Sequence, residues 1–133
     1  MFVTRQADYA IRCVLYLSRE DERSASVGEI SRAMHVPKSF LAKIVQRLVK
    51  SELVRSTRGI NGGFQLAKMP KDISLFDVIE AIQGPSAINM CSIDKKKCMR
   101  SGTCAIHPVW AKLRRDIEER LKKERFSDFP GNG

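Results

Sequence analysis

The run Ser26-Val27-Gly28-Glu29-Ile30-Ser31-Arg32-Ala33-Met34-His35-Val36-Pro37-Lys38-Ser39-Phe40-Leu41-Ala42-Lys43-Ile44-Val45-Gln46-Arg47-Leu48-Val49-Lys50 decides the fold. Ser26 and Glu29 stand three apart, the spacing at which each side chain caps the other's backbone N–H, so a helix is expected to start there. It carries Ile30, Ala33 and Met34. His35-Val36-Pro37 interrupts it, because proline cannot continue a helix and restricts the residue before it. A second helix is expected over Lys38–Lys50, with Leu41, Ile44, Val45, Leu48 and Val49 on its inner face. Helix, tight break, helix is the arrangement whose second member enters a DNA major groove.

Downstream, Leu53-Val54-Arg55-Ser56 and Phe64-Gln65-Leu66 are two short β-prone runs separated by Thr57-Arg58-Gly59-Ile60-Asn61-Gly62-Gly63. Asn-Gly-Gly tolerates positive φ, so the pair reads as a hairpin, and a hairpin directly after a helix–turn–helix reads as a wing. Upstream, Thr4 is placed to cap a helix over Arg5–Leu17, with Cys13 inside it as a small buried hydrophobe. Ser74 is expected to cap a short helix to Ile82 that buries Phe76, Ile79 and Ile82 and ends at Gly84-Pro85. A last helix is expected from His107-Pro108 to about Phe126. Its Trp110, Leu113, Ile117 and Leu121 form a narrow stripe, nearer a coiled-coil seam than a core-facing surface. The stripe can pack on its own domain or on a second copy, and the second copy is favoured because operators are commonly read by two-fold dimers.

The expected fold is therefore mainly α with a small β-hairpin wing: a winged helix–turn–helix over 1–84, a cysteine-rich loop over 85–106, and a dimerisation helix and tail over 107–133. Charge supports a polyanion partner. The 133 residues carry a formal net charge of +9. Lys38, Lys43, Arg47, Lys50, Arg55, Arg58, Lys68 and Lys71 are opposed between 38 and 71 only by Glu52. So one-sided a block favours nucleic acid first and an anionic membrane second. Ser39, Lys43, Gln46 and Arg47 are expected near bases and phosphates, Lys38 and Arg58 at the backbone, and Asn61 at the wing tip. No apolar run approaches the roughly 18 residues that span a bilayer, and no secretory signal is seen, so a cytoplasmic protein without a membrane partner is expected. No acid/base constellation or phosphate loop points to an enzyme.

Cys91, Cys98 and Cys104 cluster in a stretch without periodicity, among Asp94, Lys95, Lys96, Lys97, Arg100 and Gly102. Nearby positive charge lowers a thiol's pKa, and thiolate is the form that binds metal. His107 stands three residues after Cys104 as a further donor. The gaps of six and five residues lack the close pairs of structural zinc knuckles. Iron–sulfur clusters, held by cysteine thiolates, and zinc both remain open from the spacing.

Nearly the whole length resembles the bacterial regulators that include IscR, NsrR and RirA. The resemblance is carried by Thr4 and Asp8-Tyr9-Ala10, by the helix–turn–helix from Val27 to Lys50, and by the wing Arg58-Gly59 with Asn61-Gly62-Gly63-Phe64. The cysteine triad and Cys104-Ala105-Ile106-His107 with Trp110 complete it. It implies a homodimer, crossed by its C-terminal helices, that acts as a transcriptional regulator, a repressor on this reading. It also implies a 2Fe-2S or 4Fe-4S cluster on Cys91, Cys98 and Cys104, through which nitric oxide, redox or iron status controls binding to a double-stranded operator. The fourth ligand in such regulators is either a histidine matching His107 or an aspartate from the partner subunit matching Asp8; both residues are present. The first gap departs from the five residues common in IscR. A cysteine-metabolism branch of the family has no cluster and generally lacks the triad. The alternative to a sensing cluster is a structural zinc or a metal-free thiol switch; an electron carrier is the rival from another class.

Overall fold

The computed structural model describes residues 3–19, 23–60, 62–86 and 104–129. Among them the elements run α1 (Arg5–Arg19), α2 (Val27–Met34), α3 (Lys38–Lys50), β1 (Val54–Thr57), β2 (Gly63–Leu66), α4 (Leu75–Gln83) and α5 (His107–Lys123). Short 3-10 turns at Pro70–Asp72 and Phe126–Asp128 complete the order. The mainly helical body with one antiparallel hairpin is the winged helix–turn–helix expected from the sequence.

Helix α1 begins where Thr4 Oγ1 accepts the Ala7 N–H at 3.1 Å. Ala7, Ala10, Cys13, Val14 and Leu17 recur along one face and are buried. Two alanines in that face let neighbouring helices come close, and α1 packs on α2, α3 and α4. Burial pushes the Cys13 thiol up to about 12, so it is a packing group and not a reactive one. Helix α3 keeps the expected bounds, with Leu41, Ile44, Val45 and Leu48 buried and Val49 only partly so.

Several details differ from the sequence reading, each for a physical reason. Ser26 caps α2 by accepting the Glu29 N–H at 3.1 Å. The reciprocal half of the box is spent elsewhere: the Glu29 carboxylate accepts from Tyr16 Oη at 2.6 Å and from Arg23. The full reciprocal box forms instead at α4, where Asp77 N donates to Ser74 and Ser74 N donates to Asp77. Phe76 is half-covered rather than buried, with Lys122 Nζ 4.6 Å above its ring, while Val78 takes the core position. The α2–α3 break depends on His35, which closes α2 in the left-handed region at φ 56° and hands the chain to Val36-Pro37.

Strands β1 and β2 pair in register Val54↔Leu66 through Thr57↔Gly63, so Thr57 belongs to the strand rather than the turn. A third segment joins them. Ala25 exchanges both backbone hydrogen bonds with Phe64, at 2.9 and 2.8 Å. A Cβ on Gly63 would stand 2.5 Å from the Ala25 carbonyl oxygen, so only glycine lets the entry to α2 lie against the wing.

The last helix ends at Lys123, short of the expected Phe126. Leu75 N donates to Glu124 O and Phe126 N to Ile73 O, and Phe126 is buried at 2 % exposure against its own body. Trp110, Leu113, Ile117 and Leu121 are partly covered, with α4 as the neighbouring helix. No described helix is long and apolar enough to cross a membrane.

Candidate nucleic-acid interface and cysteine segment

The buried residues of α3 fix which side it offers to a ligand. Opposite Leu41, Ile44, Val45 and Leu48 lie Ser39, Lys43, Gln46 and Lys50, spaced four, three and four apart and all exposed. Lys38 is exposed at the N-terminal end of the same helix. Arg47 sits differently. Its guanidinium donates to Gln6 Oε1 at 3.3 Å and to the Ile82 carbonyl, tying the flank of α3 to α1 and α4. Of the α3 side chains expected at DNA, Arg47 is the one already engaged within the protein.

Arg58 is exposed beyond the end of β1, next to Gly59 at φ 106°. The turn closes through the Gly62 N–H on Gly59 O at 2.9 Å, and Thr57 Oγ1 takes the Gly63 N–H at 3.0 Å. Asn61 lies outside the described residues. The wing and α3 form one block, because Leu53 N donates to Leu48 O and Ala67 N to Leu53 O.

Behind this surface is a set of contacts that the sequence reading missed. Arg12 on α1 donates from Nη1 to Met34 O at 3.2 Å and to His35 O at 3.3 Å, the carbonyls at the α2–α3 break. Its Nη2 lies 2.9 Å from the Asp8 carboxylate, and its guanidinium lies over the Tyr9 ring. The Asp8–Arg12 spacing of four is legible as a helix pair. The reach to the turn depends on how α1 crosses α2, which no local pattern encodes. Tyr16, Glu29 and Arg23 form the second such set. Hydrogen bonds from Arg23 first and Tyr16 second hold the Glu29 carboxyl below the usual carboxylate range.

Cys91 and Cys98 lie outside the described residues, so the geometry of the triad is not described. Cys104 is a free, half-buried thiol just before α5. His107 N donates to Cys104 O at 3.3 Å, and His107 is buried at 8 % exposure. Asp8 instead faces outward from α1, its side chain 48 % exposed. Among the described residues no three His, Cys, Asp or Glu side chains converge as a metal site. At the start of α5, Ile106 (the residue before the helix) and Val109 are half exposed near Trp110 and Leu113, which extends the apolar stripe toward the N-terminal end.

Comparison with known proteins identifies the family. Residues 3–130 match the model of the Rrf2 family, described as an iron-dependent transcriptional regulator. A protein of Aquifex aeolicus named as an HTH-type transcriptional regulator is 33% identical over 123 residues, covering 91% of this chain and 85% of that protein. The solved structure of T. potens IscR superposes with a TM-score of 0.74 at 26% identity, covering 96% of this chain and 85% of the other. CymR, the global cysteine regulator of B. subtilis, superposes at 0.77 with 22% identity over 96% and 95%, a likeness of fold. These relatives are regulators and not enzymes. The chain belongs to the Rrf2 family of DNA-binding transcriptional regulators.

Proposed function

We propose that this regulator is a homodimeric, cytoplasmic repressor whose grip on its operator is set by an iron–sulfur cluster at Cys91, Cys98 and Cys104. The observation that carries the sensing half is the donor set. Three thiols stand within fourteen residues among Lys95, Lys96, Lys97 and Arg100, and positive charge favours the thiolates such a centre requires. When bound, the cluster supplies a centre that reacts with nitric oxide and oxidants and is lost when iron is scarce. Two residues could supply the fourth donor: Asp8, outward-facing on α1 and so reachable from a second subunit, or His107, three residues after Cys104 in the same chain.

Ser39, Lys43 and Gln46 would read base edges and phosphates from the exposed side of α3. Lys38 and Arg58, with Asn61 at the wing tip, would fix the register on the backbone. Arg47 instead braces α3 against α4. Two such surfaces about 34 Å apart would meet successive major grooves of a near-palindrome. The stripe Ile106, Val109, Trp110, Leu113 and Ile117, incompletely covered within one chain, supports pairing through α5. On this reading residues 1–84 bind DNA, 85–106 hold the cluster and 107–133 carry the dimer contact.

Arg12 links the two functions. With its Asp8 partner drawn to another ligand, Arg12 keeps its bonds to Met34 O and His35 O but loses the counter-charge that orients it. A shift at that turn re-aims α3. Coupling of about 1–3 kcal/mol changes operator affinity some 5–150-fold.

The test is a visible spectrum with iron, sulfide and zinc analysis on protein purified without oxygen. Matching iron and sulfide with charge-transfer bands that vanish in Cys98→Ala support the reading. A colourless protein with stoichiometric zinc makes the metal structural, and one without metal leaves a thiol switch; either overturns the cluster.

A further inference from the structure

A singly exposed apolar side chain is ordinary on a protein surface. Ile60 departs from that in degree and in place. Its relative exposure is 104%, against 50–61% for Val3, Phe40, Met69, Ile106 and Val109, the other exposed large apolar residues described. It stands at the outermost turn of the wing, two residues beyond exposed Arg58. The residues flanking it are tied back to the hairpin. Gly62 N bonds Gly59 O, and a Cβ on Gly62 would lie 2.7 Å from Thr57 O. Thr57 Oγ1 is in turn 2.7 Å from Ser24 Oγ, which fastens the hairpin to the segment leading into α2. Ile60 is itself β-branched and stiff at χ1, so little freedom remains to be lost when a partner encloses it.

A fully exposed apolar tip beside a cation, on the same block as the helix proposed to read DNA, suits a narrow anionic groove. Proteins that enter the minor groove use arginine for its negative potential and insert isoleucine, leucine, phenylalanine or methionine between base steps. We propose that Ile60 is a minor-groove wedge: beside each half-site it slides between two stacked base pairs and opens the duplex toward the major groove. The step it selects is a flexible pyrimidine–purine one, the cheapest to unstack. Ile60 therefore reads operator sequence through deformability, at positions α3 does not touch. This rests on the reading of α3 and the wing as the DNA-facing surface, and the test separates the two.

Duplexes enriched from a random library by the full-length wild-type protein serve as probe, with 2-aminopurine placed in turn at each flanking adenine. The wild type is expected to brighten 2-aminopurine at one pyrimidine–purine step on each side. Ile60→Ser is expected to abolish that signal and weaken binding about tenfold, with the salt dependence unchanged and Ile60→Leu restoring both. Arg58→Ala should instead lower the salt slope by about one. Because Ile60 touches no core residue, circular dichroism of Ile60→Ser should match the wild type. Equal affinity of wild type and Ile60→Ser, with no brightening at any flanking step, overturns the wedge and leaves the α3 interface standing. Failure of the wild type to enrich any sequence overturns the interface reading on which the wedge depends.

Discussion

The guanidinium of Arg12 lies between two partners of different kinds: the carbonyl of Met34, 3.2 Å away at the end of α2, and the carboxylate of Asp8, 2.9 Å away one turn back on α1. The first contact holds the helix–turn–helix to the body. The second is a surface ion pair within one helix, and such pairs contribute about 0.3–0.5 kcal/mol. Asp8→Ala should therefore leave urea stability nearly unchanged, whereas Arg12→Ala should cost about 0.5–1.5 kcal/mol by removing the hydrogen bonds that tie the α2–α3 turn to α1. Equal losses in the two variants would contradict this division.

Gly63→Ala tests the seam between wing and helix–turn–helix. The added methyl meets the Ala25 carbonyl at 2.5 Å, so the Ala25–Phe64 pair must open. A destabilisation of about 1–3 kcal/mol is expected. Faster amide exchange at Ala25 and Phe64 should accompany it. An unchanged exchange pattern would show that the seam is not closed in solution.

Acid should loosen the start of α2 through Glu29. Its carboxyl is held below its ordinary value by Arg23 and Tyr16, so the folded state prefers the ionised form. That contribution is present above the ordinary carboxylate range and is lost as pH falls through the depressed value. Glu29→Gln should reduce the fall in Tm on acidification and lower Tm at neutral pH. A wild type and variant with parallel Tm–pH curves would remove Glu29 from the account.

Cys13 should be silent in every thiol assay. Its thiol is buried and pushed up to about 12, so iodoacetamide applied to the folded, metal-free protein should label Cys104 and spare Cys13 in peptide mass spectra. Cys13→Ser should keep its full iron content if Cys13 has no part in the cluster.

Much of the fold was legible because local chemistry and packing agree. The α3 bounds, the hairpin around Asn-Gly-Gly and the cap at Ser74 all follow from short-range rules. What escaped depends on elements meeting in space. Glu29 stands at capping-box spacing, yet Tyr16, thirteen residues earlier, takes its carboxylate. Arg47 is exposed on α3, and the bond from its guanidinium to the Ile82 carbonyl at the end of α4 is not written in the local pattern. Phe126 continues a helical pattern, but its N–H donates to Ile73 O beside the isolated Ser74–Arg125 bridge. At the candidate site, the exposed side of α3 was readable from its period. The meeting of α1 with the α2–α3 turn at Arg12 was not.

The most direct test of the central claim is operator affinity measured on one anaerobic preparation before and after its metal is removed, beside Cys98→Ala. The account predicts visible absorbance at the outset, an affinity change of about 5–150-fold on removal, and a Cys98→Ala variant fixed at the metal-free value. Identical affinity in all three samples would contradict it.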